Sequence, residues 1–203
     1  MTWHEFVERL ETLQHDNQTN IALKLNPRVA LLPHPIQRYD DPFLPFGKAV
    51  IQATRALVCA YVFDLAAYLS VGAAGAIALE RTIAYLAGAI PTILHAPFTG
   101  QGYSAMADST GFGVNAITVI TDEDLQFYLQ NPPFAAFQMR DDGGVPESGG
   151  SYHRAAQSIS LRGKRNPILR LRVTGDDILY GNGTNDFADI LRQSVDQMRQ
   201  HES

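Results

Sequence analysis

Val58-Cys59-Ala60-Tyr61-Val62-Phe63, the alanine-rich run from Ala73 to Ala87, and Pro91-Thr92-Ile93-Leu94-His95 decide how this chain is read. The first and last runs are short, apolar and rich in β-branched and aromatic residues, as strands buried on both faces are. The middle run is long, and its apolar residues recur at helical spacing. Between them, Asp64 is placed to cap a short helix through Leu69. Strand, helix and strand in that order make a parallel βα unit.

The same alternation extends outward on both sides. Thr2-Trp3-His4-Glu5 has capping-box spacing, and Phe6, Leu10 and Leu13 follow at helical intervals, which predicts a helix over 3–15. Asn20 to Leu25 reads as a strand carrying Lys24, and Pro27, Pro33 and Pro35 make 26–40 a loop. Asp41-Pro42 starts a helix running to about Arg55. Downstream, Gly113–Ile120 and Phe134–Met139 read as strands. The acidic Thr121-Asp122-Glu123-Asp124 between them opens a helix. Residues 140–151 read as a loop, Tyr152–Leu161 as a helix and Pro167–Val173 as a strand. Thr184–His201 reads as a terminal helix capped by Thr184 or Asn185. With six or seven strands expected, the chain is an α/β protein, either an open doubly wound sheet or a closed barrel. An eight-stranded (β/α)8 barrel normally takes about 250 residues. At 203 residues, read as one domain over 1–203, such a barrel would be shortened or distorted.

Composition narrows the partners. The chain has 16 basic and 21 acidic residues, for a net charge of -5, which argues against a general nucleic-acid coat or a polybasic membrane binder. Cys59 is the one cysteine, so an intrachain disulfide and a cysteine-based zinc cluster are excluded. The start, Met1-Thr2-Trp3-His4-Glu5, has no basic and apolar leader pattern, and the weakly charged stretch from Ala56 to Leu79 is broken by Asp64 and glycines. A soluble, reduced, cytoplasmic protein is expected. The six histidines, at 4, 15, 34, 95, 153 and 201, show neither His-x-His nor HExxH spacing, so neither metal nor cofactor is expected.

Asp41-Pro42-Phe43-Leu44-Pro45-Phe46-Gly47-Lys48-Ala49-Val50-Ile51-Gln52-Ala53-Thr54 resembles the first barrel helix of the longer bacterial orotidine 5′-phosphate decarboxylases. Leu57-Val58-Cys59-Ala60-Tyr61 resembles their second strand. Gly72-Ala73-Ala74-Gly75 through Ala78-Leu79-Glu80-Arg81-Thr82-Ile83 resembles the helix after it. The similarity is dense over 41–95 and thinner on either side. It implies a (β/α)8 TIM barrel of the ribulose-phosphate-binding type that pairs as a homodimer, with active sites at the strand C-terminal ends.

The charged motifs of that family are absent. Its Leu-Asp-Pro after the first strand is here Leu25-Asn26-Pro27, and the lysine ending its second strand is replaced by Val62-Phe63. Its third-strand signature, Asp-Ala-Lys-Arg-Gly-Asp-Ile-Gly, is here His95-Ala96-Pro97-Phe98-Thr99-Gly100-Gln101-Gly102, so proline stands where the catalytic lysine would be. Its phosphate-holding Ser-Arg is here Gly175-Asp176. Decarboxylation of this kind needs a proton donor and an arrangement of charges, and proline supplies neither. The expectation is a barrel that has lost the decarboxylase reaction and binds a phosphorylated or anionic small molecule, or a partner. The alternatives are an enzyme of altered specificity and a regulatory or structural partner of an authentic decarboxylase.

A few residues remain as candidates for a rebuilt site. His95 ends a strand at the catalytic position and reads either as an acid/base or ligand contact, or as a strand-end histidine bonded to backbone. Asn26, Thr99, Gln101, Gly102 and Gly175 are the candidate ligand contacts; the glycine-rich 98–102 could cradle an anion or form a plain turn. Gly181-Asn182-Gly183-Thr184-Asn185 has the same two readings. Arg162, Lys164, Arg165, Arg170 and Arg172 form a basic cluster that could grip an anionic ligand or a partner's acidic surface; Arg170 and Arg172, sharing one strand face, are expected to pair with acids such as Asp176 and Asp177 or to lie on an exposed edge.

Overall fold

Eight strands close into a barrel in chain order: β1 (Ile21–Leu25), β2 (Ala60–Asp64), β3 (Thr92–His95), β4 (Ala116–Val119), β5 (Ala135–Met139), β6 (Gly150–His153), β7 (Ser158–Leu161) and β8 (Leu169–Thr174). The structure is a computed structural model and describes residues 1–98, 100–130, 134–165 and 167–201. Strands β1 to β6 run parallel to one another, and β8 closes the barrel parallel to β1. β7 alone runs antiparallel to both β6 and β8.

The period of two along each strand divides the core into an inner and an outer part. Inside, Ala22, Ala60, Ala116 and Ala135 face the larger Phe137, Tyr152, Ile159, Leu161, Leu169 and Leu171 in one buried cluster, so small residues on one side make room for large ones on the other. Gly150 belongs to that fit, since a Cβ there would lie 2.4 Å from the Phe137 ring. The outward residues Leu23, Tyr61, Phe63, Leu94 and Ile117 join a second cluster with the helices.

Helices fill only some of the connections. α2 (Phe43–Thr54) joins β1 to β2, α3 (Leu65–Leu69) and α4 (Ala73–Tyr85) join β2 to β3, and α5 (Asp122–Gln130) joins β4 to β5. The β3–β4 connection carries a 3-10 turn at Gln101–Met106, and α6 (Phe187–Gln200) follows β8. α1 (Trp3–Asn17) starts at the expected capping box, with Thr2 and Glu5 bonded reciprocally. Its Phe6, Val7 and Leu10 join the inner cluster, each fully buried aliphatic or aromatic side chain contributing about 1.5–3 kcal/mol. Arg9 and Asn17 bond the carbonyls of Ala89 and Val58, which precede β3 and β2, so α1 plugs the barrel at the strand N-terminal ends.

The structure corrects several expectations. Tyr152–Leu161 is not a helix but the hairpin β6–β7, turning through Arg154–Gln157, where Gln157 has φ 45°. Tyr152, Ile159 and Leu161 face inward while Ser158 and Ser160 face outward, and this alternation outweighs the helix preference of Ala155 and Ala156. The barrel therefore has eight strands rather than six or seven. α6 begins at Phe187 after Asp186, and neither Thr184 nor Asn185 caps it; the Thr184 hydroxyl donates to Asn182 and Asp186 instead. Asp41 does not cap α2, which follows Pro42 with no side-chain cap. No helix among the described residues is long and apolar enough to cross a membrane.

Candidate functional site

At the strand C-terminal ends, the inward positions of β1 and β2 are Lys24 and Asp64. Lys24 Nζ lies 2.9 Å from Asp64 Oδ2, with both side chains 18% exposed. Asp64 Oδ1 also accepts the Ala67 N–H at 3.2 Å, so the carboxylate caps α3, as the sequence suggested, while holding the lysine. Neither residue stood out in the sequence as part of a site. Their pairing is created by the register that sets Lys24 beside Val62, two residues before Asp64.

His95 follows around the barrel, beside Asp64 in register and 8% exposed. Its ring stacks on Tyr152 with centroids 4.7 Å apart and planes at 20°. Nδ1 lies 3.2 Å from Thr118 Oγ1, which also accepts the Ala96 N–H at 3.0 Å. Burial pushes the imidazole down to about 4 from 6.5, an effect that Asp64 opposes and that Lys24 and Arg154 reinforce. The ring is therefore neutral at pH 7. Burial also raises the Tyr152 phenol well above its usual range, with Asp64 and Asp176 adding to the rise, so Tyr152 remains protonated.

The other side of the mouth belongs to the segment after β8. A Cβ on Gly175 would lie 2.3 Å from the Lys24 carbonyl oxygen, so glycine is what lets this segment cross the end of β1. Asn26 Nδ2 donates to Asp176 Oδ1, Arg28 Nη2 lies 3.7 Å from the same oxygen, and Tyr180 donates to the Asn26 carbonyl at 2.9 Å. The amide at position 26 and the carboxylate at 176 are thus one interaction. An aspartate at position 26 would set two carboxylates in hydrogen-bond contact, at a cost of several kcal/mol at an effective dielectric of about 20. The mouth cavity between Lys24, Tyr152, Arg154, Gln157 and residues 173–177 holds about 80 Å³.

Of the sequence candidates, the structure brings His95, Asn26 and Gly175 to this end of the barrel. Gln101 Nε2 instead donates to Glu123 at the start of α5, at 3.2 Å, and neither Gln101 nor Gly102 lines the mouth cavity. Thr99 lies outside the described residues. The basic cluster is divided. Lys164 pairs with Glu8 of α1, the Lys164 and Arg165 N–H groups donate to Glu11 Oε1 at 2.8 and 3.0 Å, and Arg170 and Arg172 point outward on β8. Lys164 and Arg165 thus bond to α1, while Arg170 and Arg172 lie on an exposed strand face, the second of the two readings given for them.

No family model matches the chain. Three curated proteins named orotidine 5′-phosphate decarboxylase are similar to it. That of Herpetosiphon aurantiacus is 34% identical over 119 residues, 56% of this chain and 44% of the relative. That of Thermomicrobium roseum is 34% identical over 145 residues, 69% of this chain and 49% of the relative. That of Cellvibrio japonicus is 35% identical over 168 residues, 78% of this chain and 59% of the relative. The chain thus spans about half the length of the first two. A crystal structure from Streptomyces avermitilis, provisionally described as an orotidine 5′-phosphate decarboxylase, matches with a TM-score of 0.69 at 16% identity, over 98% of this chain and 95% of that one. The Leishmania donovani OMP decarboxylase matches with a TM-score of 0.54 at 23% identity, over 68% of this chain and 53% of that one. At these identities the structural likeness is one of fold.

Proposed function

We propose that this chain, a relative of the orotidine 5′-phosphate decarboxylases by sequence and by fold, does not decarboxylate orotidine 5′-phosphate and serves instead as a ligand-binding or partner-binding barrel. The reversal of β7 carries this reading. Barrels of this kind commonly hold phosphate with the loops after strands 7 and 8. Here the loop after β7 leaves at the opposite end, where Lys164 and Arg165 bond to α1. The loop after β8 stays at the mouth but brings Asp176 and Asp177. The remaining cavity, about 80 Å³, is below the ~300 Å³ at which drug-sized ligand sites begin. Lys24, a partly buried cation of the mouth, is already neutralised by Asp64.

The test is incubation of the purified chain with orotidine 5′-phosphate, following release of carbon dioxide. No release above the uncatalysed background is expected. Turnover at an ordinary enzymatic rate, about 1 s⁻¹ or faster, would overturn the proposal.

A second reading, an enzyme of altered specificity on an anionic small molecule, is favoured by one observation. His95 is a neutral, buried base whose register neighbour Asp64 is paired with Lys24. The chain also pairs as a homodimer in this reading. Exposed Val29, Leu31, Tyr39, Phe98 and Tyr103, on the segments that leave β1 and β3 at the mouth end, support this. The buried thiol of Cys59, which bonds the Ile21 carbonyl, suits a reducing cytoplasm.

A further inference from the structure

A second polar cavity lies on the outside of the barrel. A strand face covered by a helix is apolar, but β6, β7 and β8 turn Ser151, His153, Ser158, Ser160, Arg170 and Arg172 outward, and among the described residues no helix joins these strands. The β5–β6 loop lies against this face instead. Ser151 Oγ donates to the Gly144 carbonyl at 2.6 Å, Arg140 Nη2 and Asp142 Oδ2 pair at 2.6 Å, and Asp142 Oδ1 accepts the Gly144 N–H at 3.0 Å. Between loop and sheet is a cavity of about 240 Å³, lined by Asp141, His153, Ser158, Ser160 and Arg170 and bounded by the β6–β7 turn.

The polar groups around this cavity have unused bonding capacity. His153 is 5% exposed, and its Nδ1 lies 3.1 Å from the Arg140 carbonyl oxygen. A carbonyl only accepts, so Nδ1 carries a proton, and Nε2 is the ring's other nitrogen. That Nε2 is buried and has no hydrogen-bond partner in the protein. Among the described residues, the side chains of Asp141, Ser158, Ser160 and Arg170 likewise make no hydrogen bond or ion pair. Buried polar atoms are ordinarily satisfied, and an orphan asks for an explanation.

The geometry points to a site for a small amino carboxylate, a zwitterion carrying both an ammonium and a carboxylate group. The Arg170 guanidinium and the serine hydroxyls supply donors for the carboxylate. The Asp141 carboxylate supplies acceptors for the ammonium. Arg170 and Asp141 sum to zero charge, so a simple oxyanion gains from one and loses to the other, whereas a zwitterion suits both. The site stands apart from the barrel mouth, and neither proposal depends on the other.

The experiment is a two-bond ¹H–¹⁵N correlation of the histidine ring nitrogens in the full chain, with His153→Gln identifying the resonance. The probes are L-serine, L-glutamine, glycine betaine (which has no N–H) and inorganic phosphate, each to about 10 mM, enough to saturate a site of millimolar affinity. A saturable shift of the His153 ring nitrogens with at least one of the two amino acids is expected. Arg170→Gln and Asp141→Asn, both at exposed positions, should each weaken the effect about tenfold or more. No shift with either amino acid, or an equal response to phosphate or betaine, would overturn the assignment.

Discussion

His95 is neutral because it is buried, and this makes it a source of pH-dependent stability. Its folded-state value of about 4 lies below the unfolded 6.5, so between these limits the unfolded chain binds the extra proton. The contribution, up to about 3 kcal/mol, is fully present above pH 6.5 and is lost as pH falls through 4. Urea midpoints measured from pH 7 to 4.5 should fall for the wild type and fall less steeply for His95→Gln; parallel slopes in the two proteins would refute this. Asn26 teaches a different lesson at the same scale. Read along the chain, Asn26 and Asp176 are two separate losses of charge from a familiar motif. In space the amide donates to the carboxylate, so each residue explains the other. Lys24 and Asp64 were hidden for a related reason: the pairing of a strand lysine with a helix cap follows from register between strands, which no single stretch of sequence contains.

Among the elements, those whose burial is periodic were the legible ones. α1, α2, α4 and strands β1 to β5 lie where apolar spacing, proline and capping placed them, to within a few residues. The hairpin β6–β7 was not legible: each strand has four residues, too few for alternation to outweigh two alanines in the turn. The docking of α1 was missed as well, because Glu11 looks like an ordinary solvated residue of an amphipathic helix. It is 7% exposed, and its Oε1 accepts two backbone N–H groups from the segment after β7. Glu11→Ala would strand both donors, and at about 1–3 kcal/mol for each unsatisfied group the expected loss is about 2–6 kcal/mol. Glu8→Ala breaks only the exposed pair to Lys164 and should cost no more than about 1 kcal/mol. Chemical denaturation of the two variants distinguishes an anchoring carboxylate from a decorative one.

For the molecule as a whole, the decisive contact is the one between the first strand and the last. β1 hydrogen-bonds to β8 through Ile21–Arg172, Ala22–Val173 and Leu23–Thr174, residues about 150 positions apart in the chain. Until that seam forms, β1 carries an unpaired row of backbone donors and acceptors along Ile21–Leu25, an apolar template for another chain. A chain ending at residue 165, which lacks β8, should therefore leave two raw edges, on β1 and β7, and collect in the insoluble fraction on expression. Recovery of that fragment as a soluble monomer would show that the seam is dispensable. The closed ring thus sets a condition on synthesis: every strand up to the eighth must leave the ribosome before the first is safe from self-association, so the nascent protein has a long vulnerable interval built into its topology.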